Sequence, residues 1–289
     1  MDLETFLVQC LNALQYGLLL FLVASGLTLI FGIMGVINLA HGSFYMIGAY
    51  MAFSLAPVFG GNFVLTLAAG MVLAVGFGYL LEWLFISYLY ERDHLQQVLM
   101  TYGLILVFEE LRSILVDNDV HGVPVPGWLA GSVQLGELMQ YPVYRLAISA
   151  VCLGVAGALY VVIARTRLGM MIRAGSSNRE MVQSLGINIK FLYRVVFAAG
   201  VALAVLAGMI AAPVSSVYPG MGSQVLIICF VVVVIGGIGS VRGAFLAALL
   251  VGIVDTFGKV LFPQAAGVLV YLLMAAILLW KPEGLFKQG

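Results

Sequence analysis

Two long stretches without a charged residue constrain this chain more than any other feature. No Asp, Glu, Lys or Arg lies between Glu4 and Glu82, and none lies between Arg194 and Arg242. About 20 apolar residues are enough for a helix to cross a bilayer, so each stretch can cross more than once. Charged residues make up 9% of the 289 positions, whereas soluble domains contain roughly 25%. The chain is therefore predicted to be an integral membrane protein embedded in lipid, and no basic patch indicates binding to nucleic acid.

The apolar residues divide into segments that turn-forming residues separate. We predict one all-α domain over residues 1–289, a polytopic transmembrane helical bundle of about eight to ten segments. Glycine-rich stretches are expected to break some of these helices or make them re-entrant. The candidate segments are Phe6–Phe31, Val36–Leu55, Phe63–Ser87, Gln96–Val116, Pro142–Ala164, Phe191–Ala212, Ser223–Ile238, Gly243–Phe262 and Ala265–Trp280.

The basic residues predict the orientation, because Lys and Arg are enriched on the cytoplasmic side of membrane proteins. Six of them lie between Arg165 and Arg194, opposed only by Glu180. With that segment in the cytoplasm, the N-terminus is predicted to be periplasmic and the C-terminus cytoplasmic. Arg92, Arg242, Lys281 and Lys287 then also lie inside, whereas Asp2, Glu4, Arg112, Arg145, Lys259 and the periplasmic loop 117–141 (with Asp117, Asp119, His121 and Glu137) lie outside.

Polar residues interrupt the first charge-free stretch at one place. Gly35, Asn38, His41 and Gly42 follow each other closely within otherwise apolar sequence. Unwound backbone at membrane depth is tolerated only where it is buried in protein or lines a cavity, and polar groups there are costly unless paired. Asn38 and His41 are three residues apart and are expected to share a helix face. They are candidates for a translocation pathway, or alternatively form interhelical hydrogen bonds that only hold the bundle together.

A second interruption lies in the late part of the chain. Gly236, Gly237, Gly239 and Ser240 precede Arg242, but no Lys-Ser/Thr follows as a phosphate-binding loop would require. The cluster therefore predicts a helix break at the cytoplasmic face. Its spacing echoes the first interruption weakly, and paired breaks in two halves of a transporter indicate an internal repeat with the pathway between them.

The basic segment contains a short capped helix. Ser176, Ser177 or Asn178 can cap a helix over Arg179–Leu185, and Gly186 ends it. Its outward face is expected to show Met181, Val182 and Leu185. An apolar helix in a basic loop is consistent with docking to a partner, although composition alone favours a simple positive-inside loop.

Ionisable residues inside the predicted spans are few. Asp255 and Lys259 are natural partners at i, i+4, and Glu109 and Arg112 at i, i+3. No catalytic triad, metal-ligand spacing or GxxxxGK[ST] motif is present. The chain is therefore not predicted to be an enzyme, and any ATP hydrolysis is expected to occur on another chain.

Three motifs in order resemble the permease subunits of branched-chain amino-acid ABC importers. They are Asn38-Leu-Ala-His41-Gly42 early, Arg167-Leu-Gly169 through Arg173-Ala174 with Leu185-Gly186-Ile187 in the middle, and Gly236-Gly237-Ile238-Gly239-Ser240 late. The resemblance extends from about Tyr16 to Glu283.

The resemblance implies a bacterial inner-membrane subunit that works with a second homologous permease, two cytoplasmic ATP-binding subunits and a periplasmic solute-binding protein. No cofactor would be bound directly, and ATP would bind to the partner subunits. The substrates implied are branched-chain or other small hydrophobic amino acids, or related amides and small acids. An ion-coupled secondary transporter of a small polar solute is the alternative.

Within that family, segment 165–191 corresponds to a cytoplasmic coupling loop that contacts the ATPase. The residues implied in that coupling are Arg173, Ser177, Asn178, Arg179, Glu180, Met181, Val182, Leu185 and Gly186.

Overall fold

A computed structural model of the protein describes residues 3–134 and 140–286. The predictions for Asp2, Glu137 and Lys287 lie outside the described residues. Eleven α-helices are present in this part of the chain. They are α1 (Leu3–Met34), α2 (His41–Val58), α3 (Phe63–Leu84), α4 (His94–Val116), α5 (Val143–Arg165), α6 (Arg167–Ser177), α7 (Arg179–Ser184), α8 (Ile189–Ser215), α9 (Met221–Gly236), α10 (Val241–Leu261) and α11 (Ala266–Trp280).

Nine of these helices coincide with the nine predicted segments, and the polytopic helical bundle is confirmed. Among the described helices, α1, α3, α5, α8 and α10 are long and apolar enough to cross a membrane. The helices α9 and α11 are apolar but shorter. The protein is therefore a multi-pass membrane protein in which some segments span less than the full bilayer as helix.

Side-chain caps explain where six of the helices begin. In each case a side-chain oxygen accepts the backbone N–H three residues later, which satisfies a donor that the helix itself leaves open. The capping residues are Asn62, Asp93, Thr166, Asn178, Asn188 and Ser240.

The helices α1 and α8 form the centre of the bundle. The most apolar window of α1 is 89% buried and that of α8 is 78% buried, whereas only 11% of the corresponding window of α5 is buried. The two central helices pack on each other, α10 covers α1, and α2 and α3 cover α8. The outer faces of the peripheral helices expose large apolar side chains, as expected for a surface in contact with lipid.

The two ends of the bundle differ in what they carry. At the end that we call the loop end, the chain after α4 forms a short 3-10 turn (Gly127–Leu129) and two antiparallel strands, β1 (Ser132–Gln134) and β2 (Gln140–Pro142). His121 pairs with Val217 through two backbone hydrogen bonds of 2.8 Å, which ties this loop to the end of α8. The backbone N–H of Asp119 donates to the Asp117 carboxylate and lowers the pKa of that side chain. The opposite end, which we call the α7 end, carries α6 and α7.

The small sheet and α6 are departures from the sequence-based prediction. The strands are three residues each, too short for an alternating pattern to identify them. The segment between Arg165 and Arg194 was expected to hold one helix and holds two. The side chain of Thr166, which caps α6 by accepting from the Gly169 N–H at 3.2 Å, was the available signal.

Candidate functional site

The chain between α1 and α2 is unwound inside the bundle. Gly35 ends α1 with φ +64°, and α2 begins only at His41. The His41 Nε2 atom lies 2.9 Å from the Val23 carbonyl oxygen of α1, which is about three turns, roughly 16 Å, before the end of that helix. Residues 35–40 therefore run back along α1, and α2 starts at membrane depth. The predicted break at this motif is confirmed.

Asn38 and His41 are both fully buried, but they do not share a helix face as expected, because Asn38 precedes the helix. Its Oδ1 atom accepts the Ala40 N–H at 3.1 Å and closes the turn into α2. Asn38 Nδ2 and His41 Nδ1 are buried without a hydrogen-bond partner among the described residues. Buried polar atoms without a partner are rare in native folds, so this segment has capacity to bind a further group.

Two residues of α4 that the sequence analysis did not select hold the unwound segment in place. Gln97 Oε1 accepts the Ile37 N–H at 3.1 Å, and Thr101 Oγ1 donates to the Ile37 carbonyl oxygen at 3.4 Å. The Gln97 amide also donates to the carbonyl oxygens of Leu89 and Arg92 at 3.2 Å each. Both side chains are buried, and their i, i+4 spacing in an apolar helix was the signal available in the sequence.

The helix α9 starts against α2 from the opposite direction. A Cβ atom on Gly42 would lie 2.2 Å from the Gly222 carbonyl oxygen, and a Cβ on Gly222 would lie 2.8 Å from the Gly42 oxygen. One turn further on, Leu226 faces Gly42 and Met46 faces Gly222, so the contact is reciprocal. The N-terminal turns of two short helices therefore meet inside the bundle, one arriving from each end. Discontinuous helices that begin near the midplane are typical of transporter binding regions.

The second glycine motif serves as a tight corner between α9 and α10. Gly236 packs against the backbone of Gly243, and Ser240 caps α10 by accepting the Gly243 N–H at 3.1 Å. Gly237 has φ +95° and packs against the backbone of Phe286, and Gly239 has φ +79°. The helix break is confirmed, but its geometry does not repeat that of the first motif. The structural counterpart of Gly42 is Gly222 instead.

The helix α7 has the predicted caps, but one of the three residues predicted on its outer face is buried. Asn178 Oδ1 accepts the Met181 N–H at 2.9 Å, and Gly186 follows the helix with φ +84°. Met181 is 64% exposed and Leu185 is 74% exposed, but Val182 is only 4% exposed. The expectation that Val182 faces outward is wrong, because it lies on the side of α7 that packs towards α6 and α8.

The other residues predicted for this segment surround the helix start. Ser177 ends α6, and Ser177, Asn178 and Glu180 are exposed. Arg173 is also exposed, and its guanidinium donates to the Ile163 carbonyl oxygen of α5. Arg179 is the first residue of α7, and its side chain lies outside the described part of the structure.

A buried ionic cluster joins α3 to the start of α8. Glu82 has no exposed side-chain surface, and its Oε2 atom lies 2.9 Å from the Nε atom of Arg194. The Tyr90 hydroxyl donates to the other Glu82 oxygen, and Tyr193 packs edge-on against the Tyr90 ring with centroids 4.9 Å apart. The cluster lies next to the carbonyl oxygens that Gln97 binds. The sequence showed Glu82 and Arg194 as isolated charges and gave no sign of the pairing across 112 positions.

Two cavities lie along the helices α1, α5 and α10. The cavity nearer the α7 end has a volume of about 760 Å³, and its walls include Arg173, Tyr160 and Arg242. The Arg242 guanidinium sits 5.7 Å from the centre of the Tyr160 ring. The cavity at the loop end has a volume of about 400 Å³, and both polar and apolar side chains line it. Among the described residues, no group of three or more His, Cys, Asp and Glu side chains could hold a metal ion.

Broken helices that meet inside an apolar bundle, with cavities on either side, are the architecture of a membrane transport permease. The chain belongs to the family described as the permease component of branched-chain amino acid transport systems, whose model matches residues 9–279. Membership in this family makes the chain a transport subunit and not an enzyme.

Curated relatives cover nearly the full chain. The chain is 31% identical to the high-affinity branched-chain amino acid transport system permease protein BraD of Pseudomonas aeruginosa, over 99% of this chain and 97% of the relative. It is 28% identical to LivH of Escherichia coli, a permease protein of the same description, over 98% of this chain and 96% of the relative. It is 26% identical to a probable branched-chain amino acid transport permease protein, LivH of Methanocaldococcus jannaschii, over 95% and 90% respectively.

Proposed function

We propose that this chain is the membrane permease subunit of an ATP-driven importer in the bacterial inner membrane. It carries branched-chain or other small hydrophobic amino acids into the cell, and separate subunits hydrolyse the ATP. The observation that carries the proposal, beyond family membership, is α7. This short helix is capped at both ends and presents two large apolar side chains, Met181 and Leu185, at the end of the bundle that is richest in basic residues.

An exposed apolar pair on a short rigid helix fits a groove on a partner protein. In this proposal the partners at α7 are cytoplasmic ATP-binding subunits, which carry the ATP, and a second homologous permease completes the pathway. A periplasmic solute-binding protein docks at the loop end, where residues 117–134 project. The N-terminus is then periplasmic and the C-terminus cytoplasmic, which agrees with the positive-inside rule.

The contacts of α7 provide a route for movement towards the broken helices. Val182 anchors α7 inside the bundle, and the buried Ile189 begins α8 a few residues later. The helix α8 runs from there to the loop end and packs closely on α2, since a Cβ on Gly208 would lie 1.9 Å from the Tyr45 carbonyl oxygen. A movement of α7 would therefore be transmitted by α8 to α2. The first turn of α2 contacts α9, so the movement would reach the place where the two broken helices meet.

The proposal is tested at α7 by single charge substitutions. Met181→Asp and Leu185→Asp place a carboxylate in the apolar contact, and we expect each to abolish co-purification of the ATP-binding subunits. Insertion of the permease into the membrane is expected to stay normal, because both side chains are exposed. Gln183→Asp is the matched control, since it adds the same charge to an exposed position on another face of α7.

Normal complex formation by both variants would contradict the assignment of α7. The alternative of an ion-coupled carrier predicts uptake by this chain alone, driven by an ion gradient without ATP. An acid that such a carrier could use within the membrane is Asp255, which pairs with Lys259 at 2.5 Å.

A further inference from the structure

The cavity at the loop end lies directly above the unwound segment. It opens between α1, α5, α8 and α10, and its volume is about 400 Å³, within the range of small-molecule sites. Leu19 and Tyr45 are among the residues that line it. Tyr45 follows His41 by one helical turn, roughly 6 Å. A solute in this cavity would therefore rest just outside the crossing of α2 and α9.

The cavity contains a cation that no carboxylate of the described residues neutralises. The Arg145 guanidinium donates to Asn12 Oδ1 at 2.6 Å, and the ion pairs found among residues 3–134 and 140–286 do not include it. Gln15 lies beside this pair on α1 and is 7% exposed. None of the side-chain hydrogen bonds of the described residues involves the Gln15 amide, so this amide is available to a ligand in the cavity.

A negatively charged side chain, that of Asp255, lines the same cavity. Asp255 is 8% exposed, and its carboxylate lies 2.5 Å from the ammonium of Lys259, whose side chain is 62% exposed. Lys259 also lies 5.4 Å from the centre of the Tyr16 ring. Because the Lys259 side chain is largely exposed, its ammonium can move into solvent and leave the Asp255 carboxylate to the ammonium group of a ligand.

These groups match the head group of a free amino acid. A carboxylate needs a cation and hydrogen-bond donors, which Arg145 and Gln15 supply, and an α-ammonium group needs an acceptor, which Asp255 supplies. The remaining wall includes Leu19, Ala211 and Val214, which suit an aliphatic side chain. A solute lacking either charge would leave one of the buried polar groups without a partner.

We propose that this cavity is a transient binding site for the zwitterionic head group of an α-amino acid, with the carboxylate on Arg145 and the ammonium on Asp255. The inference rests on the proposed function, because it names the site at which that importer receives its substrate from the binding protein.

The test uses the complete transporter in proteoliposomes with ATP inside and leucine-loaded binding protein outside. The measured quantity is leucine taken up per ATP hydrolysed, which does not depend on how much complex assembles. We expect Arg145→Gln and Asp255→Asn each to lower this ratio at least tenfold, and Arg145→Lys to retain most of it. Arg112→Gln is the matched control, because Arg112 lies at the same end but pairs with Glu109 outside this cavity.

A second pair of variants separates binding from folding. Gln15→Leu breaks no hydrogen bond of the described structure, so we expect normal assembly with a lower uptake ratio. The exchange Asp255→Lys with Lys259→Asp keeps an ion pair but moves the carboxylate, and we expect it not to restore uptake. If the exchange restores uptake, or if Arg145→Gln has a normal uptake ratio, the proposed binding site is wrong, although the proposal of an importer would still hold. Failure of the unsubstituted transporter to carry any amino acid would instead overturn the proposed function.

Discussion

At the scale of single residues, two glycines decide how closely α2 and α9 approach. Each lacks the Cβ that would collide with the carbonyl oxygen of the other, and the colliding atoms belong to backbone that cannot rotate away. Small residues at helix contacts are the usual solution in membranes, where apolar side chains gain nothing by leaving lipid. Gly42 and Gly222 are therefore required for the crossing itself, independent of any contact with substrate.

Replacing Gly42 by alanine is expected to lower the folded yield severely, because the new methyl group would sit 2.2 Å from the Gly222 oxygen. Gly103→Ala is the control, since Gly103 lies inside α4 and a Cβ added there would have nothing within 4 Å. Alanine at that position should stabilise the helix by about 0.5–1 kcal/mol. The thermal midpoint in detergent measures both effects, and equal midpoints for the two variants would contradict the crossing.

At the scale of helices, the buried ion pair between Glu82 and Arg194 links α3 to the first turns of α8. Burying a charge without its partner is expensive, whereas removing both charges together is often tolerated. The pair therefore fixes the position of α8 relative to α3 at the end where α7 is attached. It also lies next to Tyr90 and the turn that Gln97 binds, so the unwound segment and α8 share one rigid support.

Arg194→Gln is expected to destabilise the bundle by about 3 kcal/mol, the lower part of the range for breaking a buried pair, since the Arg194 side chain is 26% exposed. The double variant Glu82→Gln with Arg194→Gln should recover part of that loss. Chemical denaturation in detergent measures the free energy of unfolding of each. A double variant no more stable than Arg194→Gln would show that the charge of Glu82 is not the cause.

At the scale of the whole molecule, the loop end and the α7 end carry the two surfaces through which the proposed importer meets its partners. The loop end carries the acidic loop and the cavity that contains Arg145 and Asp255, and the α7 end carries α7 and most of the basic residues. The three basic residues assigned to the outer face, Arg112, Arg145 and Lys259, all lie at the loop end, next to Asp117, Asn12 and Asp255 respectively. The charges are therefore sorted by end as the sequence-based orientation requires.

This orientation predicts which positions a membrane-impermeant thiol reagent reaches in intact cells. Asn118→Cys in the loop is expected to react at once, whereas Ser184→Cys at the end of α7 should react only after the membrane is opened. Cys152 and Cys229 are buried and should contribute little background, and the partly exposed Cys10 is replaced by serine in both variants. If the reagent labels position 184 in intact cells, α7 faces the periplasm and the proposed topology is wrong.

Sequence patterns alone were sufficient for the features that depend on neighbouring positions. The long charge-free stretches predicted insertion, and the turn residues between apolar segments divided the chain into nine candidate helices. The break after Gly35 followed from polar residues in apolar sequence, and the caps at Asn178 and Gly186 bounded α7. The Asp255–Lys259 pair followed from its i, i+4 spacing. Each of these signals lies within a few residues of the structure that it predicts.

Which faces of the helices meet became known only from the packed structure. A helix that is apolar all round carries no polar stripe to indicate its inward side, so the contact of Gly42 with Gly222 could not be inferred. The short helix α7 and the residue that follows it have three apolar side chains close together, and only the packing on α6 and α8 shows that Val182 is the buried one. The same holds for the pairing of Glu82 with Arg194 and for the contacts of Gln97 with Ile37, which join positions far apart in the chain. The cavity lined by Arg145, Gln15 and Asp255 is of this kind, because three helices bring together residues that no local pattern connects.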